Sequence, residues 1–360
     1  MKIHNFGAGP CILPQEVFKK ASEGVLNLDN SGLSVLEISH RSDTFQSIFD
    51  QTKKLVLDLM RLSESTHEVL FLQGGASSQF ALVPMNFLKQ KALYIDTGVW
   101  SAKAITEARN FGSVDSIKNT TDKGYLELPD LSRMKSEDYD YVHYTSNNTI
   151  YGTQFKEVIQ TDCPLVCDMS SDIFSKQIDF NQFDLIYAGA QKNIGPAGMT
   201  LVVIRKEFLK EAAVKSRSIP TMFNYQKHID KDGLLNTPPV FSIYVAQLNL
   251  TWVVEQGGLT HFESNNQNKA SSLYRELERN TLFSPKVSFD SRSNMNITFD
   301  LNNTELDSAF LAYCEVYGVH GLKGHRSTGG YRASLYNALS LESVNHLIDC
   351  LKDFEKKTFT

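Results

Sequence analysis

The feature that most constrains the fold is an alternation of apolar segments between residues 68 and 111. The strand-like EVLFLQ leads through a glycine turn into the helix-like SSQFALVPMNFL, and the strand-like KALYID leads into the helix-like VWSAKAITEARNF. This order is typical of βαβ units in a parallel sheet covered by helices. Four further buried-strand candidates follow: YDYVHYT, PLVCDMS, FDLIYAGA and TLVVIR. Because several of them are separated by loops too short for a long crossover helix, we predict an α/β fold with a large mixed sheet.

The length of 360 residues exceeds the size at which one hydrophobic core keeps growing, so about two domains are expected. The helix-like SIYVAQLNLTWVVEQ ends at Gly257 and Gly258, and two glycines suit a helix end and a domain junction. The last hundred residues alternate between helix-like and strand-like segments, and Ser340 is a plausible N-cap of the final helix. We expect a large domain over residues 16–257 and a small α+β domain formed by residues 1–15 and 258–360.

Composition excludes several classes of protein. A net charge of -5 with interspersed signs argues against a nucleic-acid-binding face, which needs a basic stripe. The five cysteines are odd in number and form no zinc-type CxxC pair, so reduced thiols and no metal site are predicted. The sequence contains no signal-peptide core and no apolar window long enough to span a membrane, so we expect a cytoplasmic protein.

Two strand-end residues suggest catalysis. Lys192 follows an apolar strand and stands in the glycine-rich AGAQKNIGPAG. A partly desolvated lysine there favours the neutral amine, which can condense with an aldehyde. Asp168 ends the run PLVC and is expected on a neighbouring strand, where a carboxylate can keep the pyridine nitrogen of pyridoxal phosphate protonated. Alone, Lys192 would more often be a solvated surface residue, and Asp168 would as often be a turn residue or helix N-cap. The pair at adjacent strand ends favours a pyridoxal-phosphate site.

Three further elements fit the same cofactor. The segment QGGASSQF joins a strand to a helix start, where free backbone N–H groups and the helix dipole bind phosphate, although such turns also close ordinary βα units. Trp100 follows another strand and could stack on a flat ring, or could be a core residue. Thr149 lies in a strand-end loop, where its hydroxyl could bond the cofactor's phenolic oxygen or be solvated.

Two loops carry His-Arg pairs that suit anionic substrates. SHRS holds His40 and Arg41, and GHRS holds His325 and Arg326, with Arg332 close behind. Guanidinium forks bind carboxylate and phosphate, and imidazoles add donors. A substrate with both a phosphate and a carboxylate needs several such groups, so the repetition favours anion binding.

Together these motifs resemble the phosphoserine aminotransferase family, within the fold-type I, class V pyridoxal-phosphate enzymes. The resemblance covers nearly the whole chain and is carried by these segments: NFGAGP, EISHRS, GGASSQF, GVWS, AGAQKNIGPAG, NTPP and GHRSTGGYRASLYN. It implies a mixed, mostly parallel seven-stranded sheet with a smaller α+β C-terminal domain, and the cofactor pyridoxal 5'-phosphate.

The resemblance also implies a role for each matching residue. Lys192 would bond the cofactor aldehyde and Asp168 its ring nitrogen, while Trp100 and Thr149 contact the ring and its hydroxyl. The cofactor phosphate would be held by Ala76, Ser77 and Gln191, with Asn236 and Thr237 from the neighbouring subunit of a homodimer. The substrate would be bound by His40, Arg41, His325, Arg326 and Arg332. Some relatives carry arginine where this chain has Ser77, so one guanidinium is missing here.

The implied reaction is reversible amino transfer from L-glutamate to 3-phosphohydroxypyruvate, giving phosphoserine and 2-oxoglutarate in serine biosynthesis. It could extend to 3-hydroxy-2-oxo-4-phosphonooxybutanoate in pyridoxal phosphate biosynthesis. One alternative is another class V enzyme such as a cysteine desulfurase, which would need a nucleophilic cysteine on a mobile loop, whereas Cys314 lies in a helix-like segment. The other is a catalytically silent binding protein, whose usual mark is loss of the lysine.

Overall fold

The computed structural model describes residues 2–359, which form a large mixed sheet, two smaller sheets and helices around them. The strands are β1 (His4–Asn5), β2 (His67–Leu72), β3 (Lys91–Asp96), β4 (Ser113–Lys118), β5 (Val142–Thr145), β6 (Leu165–Asp168), β7 (Leu185–Gly189), β8 (Thr200–Arg205), β9 (Phe283–Pro285), β10 (Asn296–Leu301), β11 (Val319–His320) and β12 (Tyr331–Ser334). The α-helices are α1 (Gln15–Asn27), α2 (Asp43–Met60), α3 (Gly75–Phe87), α4 (Val99–Ala108), α5 (Lys206–Ala212), α6 (Tyr225–Ile229), α7 (Val240–Glu255), α8 (Gly258–Arg279), α9 (Asp307–Val316) and α10 (Leu341–Phe359).

The large sheet has seven strands in the order β2-β8-β7-β6-β5-β3-β4. Strand β8 is antiparallel to both of its neighbours, and the other pairings are parallel. The carboxyl ends of β2, β3, β5, β6 and β7 therefore meet at one edge of the sheet. In open α/β sheets this edge is where ligands bind.

Alternate residues of each strand face two different helix layers. Val69 and Phe71 of β2 pack in the core shared with α1, α2 and α7, whereas Leu70 and Leu72 pack in the core shared with α3 and α4. A third core, separate from these two, is formed by Phe6 and side chains of residues 270–354. Helix α8 connects the cores, because its first turns pack on the large sheet and its later turns on the third core.

The mixed α/β fold predicted from the sequence is confirmed, and most predicted elements agree within two or three residues. Ser340 accepts a hydrogen bond from the N–H of Ser343 at 3.2 Å, as expected of an N-cap. Strand β4 was not predicted. Its sequence, SVDSIK, is polar and the strand lies at the sheet edge, so it lacks the apolar run that marks the central strands.

Two further features bear on the predictions from composition. Within residues 2–359, no helix is both long enough and apolar enough to cross a membrane. All five cysteines are free thiols. Cys314 is buried in α9, in the third core.

Candidate active site

The strand ends of the large sheet surround a cavity of about 300 Å³. This volume is in the range of small-molecule sites. Nine of the residues predicted for the site line it: Ala76, Ser77, Trp100, Thr149, Asp168, Gln191, Lys192, His325 and Arg332. The first seven come from the large-sheet region and the last two from the later part of the chain, so the cavity lies between the two.

Lys192 projects into the cavity from the turn after β7. Its Nζ donates a hydrogen bond to the hydroxyl of Thr149 at 2.7 Å. The pKa of Lys192 is lowered to about 8, mainly by burial; the carboxylate of Asp168 opposes this shift, and the positive charge of Arg332 contributes to it. About a tenth of the amine is therefore neutral near pH 7, far more than for a solvated lysine.

The backbone of the lysine turn is held by the N-terminal segment. The thiol of Cys11 donates to the carbonyl of Lys192 at 2.5 Å, and its N–H donates to the carbonyl of Gln191 at 3.0 Å. These two bonds anchor the turn, so the side chain of Lys192 starts from a defined backbone position.

Asp168 ends β6, and it is paired in register with Tyr187 of β7. The prediction that Asp168 and Lys192 follow adjacent strands is thereby confirmed. Only 4% of Asp168 is exposed. Burial raises the pKa of its carboxyl above the usual range, while hydrogen bonds from Ser170 and the charge of Lys192 counteract the rise.

The turn before α3 presents a helix N-terminus to the cavity. Gly74 and Gly75 have φ angles of 99° and 68°, which L side chains rarely adopt. The first turn of a helix has N–H groups without an intrahelical partner, and its dipole favours an anion. Gly75, Ala76 and Ser77 all line the cavity, so this site can hold a phosphate.

Trp100 forms another wall, in the first turn of α4. Its indole Nε1 is buried and has no hydrogen-bond partner within residues 2–359. The ammonium of Lys103 lies 4.9 Å from the centroid of its ring. The backbone at Gly98 lies close to neighbouring side chains, because a Cβ there would be 2.4 Å from the side-chain amide nitrogen of Asn148.

Arg332 and His325 line the cavity from the later part of the chain. Nη1 of Arg332 donates to the carbonyl of Thr149 at 3.1 Å, while its Nε is buried and unpaired among the described residues. Burial lowers the pKa of His325, and the nearby charges of Arg332, Arg326 and Lys103 lower it further. A guanidinium with a free buried N–H is a ready partner for a carboxylate.

Five predicted site residues lie outside the cavity of a single chain: His40, Arg41, Arg326, Asn236 and Thr237. Arg41, Arg326 and Thr237 are exposed, and the amide of Asn236 donates to the side-chain oxygen of Gln73 at 3.0 Å. Gln73 stands between β2 and α3, so Asn236 lies beside the turn that carries the phosphate site. The predicted roles of these five residues stay predictions.

The sequence reasoning missed other residues that line the cavity, among them Gly9, Asn147 and Ser170. Asn147 and Ser170 follow β5 and β6 by two residues each. The sequence feature that could have identified these two residues is their position just after the end of a strand. Within residues 2–359, no group of His, Cys, Asp or Glu side chains is arranged to hold a metal ion.

The residues present fit pyridoxal 5'-phosphate. The molecule has an aldehyde, a ring nitrogen, a phenolic oxygen, a flat face and a phosphate. The cavity offers an amine at Lys192, a carboxylate at Asp168, a hydroxyl at Thr149, the indole of Trp100 and the start of α3. The unpaired buried donors of Trp100 and Arg332 further indicate that the cavity is built for a polar ligand.

Comparison with known proteins agrees with this geometry. The family model for class-V aminotransferases matches residues 3–347. The phosphoserine aminotransferase of Flavobacterium johnsoniae is 50% identical over 359 residues, covering 99% of this chain and 100% of the relative. The phosphoserine aminotransferase structure from Bacillus circulans subsp. alkalophilus is 41% identical, with a TM-score of 0.95 and 99% of each chain covered.

A further solved structure contains the cofactor. The pyridoxal-phosphate-bound phosphoserine aminotransferase from Trichomonas vaginalis is 34% identical, with a TM-score of 0.92, covering 98% of this chain and 100% of that chain. The cofactor of the present protein is pyridoxal 5'-phosphate. The chain belongs to the class-V aminotransferases and, among them, to the phosphoserine aminotransferase family.

Proposed function

We propose that this protein catalyses reversible amino transfer from L-glutamate to 3-phosphohydroxypyruvate, which yields O-phospho-L-serine and 2-oxoglutarate. The observation that carries the proposal is one cavity in which a lysine with a lowered pKa, a buried aspartate and an arginine with a free N–H converge. The family membership points to the same substrates through the names of the relatives.

Each cavity residue has a proposed task toward the cofactor. Lys192 bonds its aldehyde, Asp168 holds its ring nitrogen, and Trp100 and Thr149 contact its ring and phenolic oxygen. Its phosphate is held by the helix start at Ala76 and Ser77, with Gln191 and, from the neighbouring subunit, Asn236 and Thr237. When bound, the cofactor accepts the amino group and stabilises negative charge on the substrate's α-carbon.

Lys192 is proposed as the general base and acid. Its Nζ removes a proton from the substrate's α-carbon as general base and donates a proton as general acid later in the same amino transfer. A pKa of about 8 suits both tasks near neutral pH, because neither form of the amine is rare. Thr149 Oγ1, 2.7 Å away, keeps the amine directed into the cavity between these steps.

The arginine and histidine side chains are proposed to bind the substrate's anionic groups. Arg332 and His325 already line the cavity, and Arg332 has donors left for the carboxylate. His40, Arg41 and Arg326 are proposed to join them in a homodimer, since these residues lie outside the single-chain cavity. Ser77 supplies no guanidinium, so the substrate phosphate depends on the remaining cations.

We also propose the division into a domain of residues 16–257 and a domain of residues 1–15 with 258–360, together with a cytoplasmic location. Phe6 in the third core supports grouping the N-terminus with the later residues.

The desulfurase alternative is not favoured, because Cys314 is buried in helix α9 and does not lie on a mobile loop. A silent binding protein is not favoured either, because Lys192 is present in the cavity.

The test is glutamate-dependent amination by the purified holoenzyme, with 3-phosphohydroxypyruvate compared against pyruvate and oxaloacetate. Loss of a phosphate leaves several charge-assisted hydrogen bonds unmade, so we expect kcat/KM to favour the phosphorylated substrate by at least about 100-fold. The phosphorylated four-carbon keto acid, assayed in parallel, tests a role in pyridoxal phosphate biosynthesis. Equal rates with pyruvate, or sulfide release from cysteine without glutamate, would refute the proposal.

A further inference from the structure

Ser170 contacts the buried carboxylate of Asp168 with two donors. The backbone N–H of Ser170 donates to Oδ1 of Asp168 at 2.9 Å, and its hydroxyl donates to the same oxygen at 2.6 Å. Ser170 is itself 6% exposed. Both bonds are to a buried carboxylate, and hydrogen bonds to a charged group are stronger in a buried site than in water.

The direction of the hydroxyl bond is determined by Gly189. The N–H of Gly189 donates to the Ser170 hydroxyl oxygen at 3.1 Å, which uses a lone pair of that oxygen. A serine hydroxyl has a single hydrogen. That hydrogen is therefore committed to Asp168. Gly189 is the last residue of β7, three positions before Lys192, so the strand that leads to the lysine also orients the donor to the aspartate.

The two oxygens of Asp168 are consequently unequal. Oδ1 accepts both bonds from Ser170, whereas Oδ2 accepts none from any group in residues 2–359. Asp168 lines the cavity. The bonds from Ser170 also lower the pKa of a carboxyl that burial raises, so they favour its ionised form.

We propose that Ser170, held by Gly189, is a positioning residue that keeps Asp168 ionised through Oδ1 and presents Oδ2 to the ring nitrogen of the cofactor. The proposal rests on the proposed function for the role of Asp168. It adds a residue that acts on the cofactor only through Asp168.

Ser171 provides a matched control in the same loop. It is also buried, and its hydroxyl donates to the carbonyl of Asn147 at 2.7 Å and accepts from the amide of Asn147 at 2.8 Å. It makes no hydrogen bond to Asp168 within the described chain. Like Ser170, it lines the cavity, and removal of its hydroxyl also removes two hydrogen bonds but leaves the donors to the carboxylate unchanged.

The experiment compares wild type, Ser170→Ala, Ser170→Thr and Ser171→Ala as holoenzymes. The dissociation constant for pyridoxal 5'-phosphate is measured from the cofactor's absorbance between pH 5 and 8, which requires no substrate. Loss of one hydrogen bond to a charged group should weaken cofactor binding at pH 6 by about ten-fold to one-hundred-fold in Ser170→Ala. The pH midpoint at which binding is lost should rise by about one to two units. Ser170→Thr keeps the hydroxyl and should retain the wild-type midpoint, as should Ser171→Ala.

An unchanged midpoint in Ser170→Ala, or an equal rise in Ser171→Ala, would overturn the proposal. If Ser170→Ala cannot be isolated as holoenzyme, Ser170→Cys replaces it. A thiol is a weak donor. That variant should show a smaller rise in the same direction, and an unchanged midpoint there counts against the role of Ser170. If the wild type fails to aminate 3-phosphohydroxypyruvate, the proposed function is refuted, whereas the binding midpoints still decide the role of Ser170, because they are measured without substrate.

Discussion

The reactivity of Lys192 should depend on pH in a way that a solvated lysine would not show. With a pKa of about 8, the neutral fraction of the amine is about 1% at pH 6, about 10% at pH 7 and above half beyond pH 8. An ordinary lysine with a pKa near 10.4 would be only about 0.04% neutral at pH 7. The protein freed of cofactor should therefore combine with pyridoxal 5'-phosphate roughly 200-fold faster at pH 7 than a solvated lysine of equal nucleophilicity would.

Stopped-flow absorbance of that reaction gives the rate at each pH. The rate should rise about ten-fold per unit between pH 6 and 7 and level off above pH 8. The neighbouring charges determine the sign of two further shifts. Arg332→Gln removes a cation that lowers the pKa of Lys192, so the rate of this variant should level off at a higher pH. Asp168→Asn removes the main group that raises this pKa, so the rate of that variant should level off at a lower pH. A wild-type rate that keeps rising to pH 10 would refute the reasoning.

Three other predictions concern substrate binding and stability. Arg332→Lys keeps the charge but loses the guanidinium fork, so the KM for glutamate should rise about ten-fold or more in steady-state assays; an unchanged KM would exclude Arg332 from substrate binding. Gly98→Ala should lower the free energy of unfolding by more than about 2 kcal/mol, because the new methyl approaches a side-chain nitrogen to 2.4 Å. Gly32→Ala, also at positive φ but with no atom within 4 Å, should cost only about 1 kcal/mol, and equal losses in denaturant titrations would refute the steric explanation. In Lys269→Met, three buried carbonyls lose the ammonium that donates to them at 2.9–3.0 Å, so thermal unfolding should show several kcal/mol of destabilisation. The control Lys210→Met, on the exposed face of α5, should not show this loss.

The core of the site could be predicted from sequence because strand ends have a simple geometry. Asp168 and Lys192 each follow an apolar run, and parallel strands bring such positions to one edge. The turn before α3 was recognisable from its paired glycines. These signals are local in sequence, so they can be recognised without knowing the order of the strands.

The remaining features depend on contacts that sequence spacing does not encode. The bond from the thiol of Cys11 to the carbonyl of Lys192 joins residues 181 positions apart. The link from Gly189 through Ser170 to Asp168 requires β6 and β7 to be neighbours in a known register. Arg41 was inferred from its His-Arg pair and Asn236 from family resemblance, and a single chain brings neither residue into the cavity. The polar edge strand β4 lacked an apolar pattern altogether.

The most direct test of the account is to find which lysine carries the cofactor. The holoenzyme is reduced with borohydride, digested, and its peptides are analysed by mass spectrometry. We expect the pyridoxyl group on Lys192 and no labelled peptide from Lys192→Ala. A label on another residue, such as the buried Lys269, or a label that persists in Lys192→Ala, would contradict the assignment of the site.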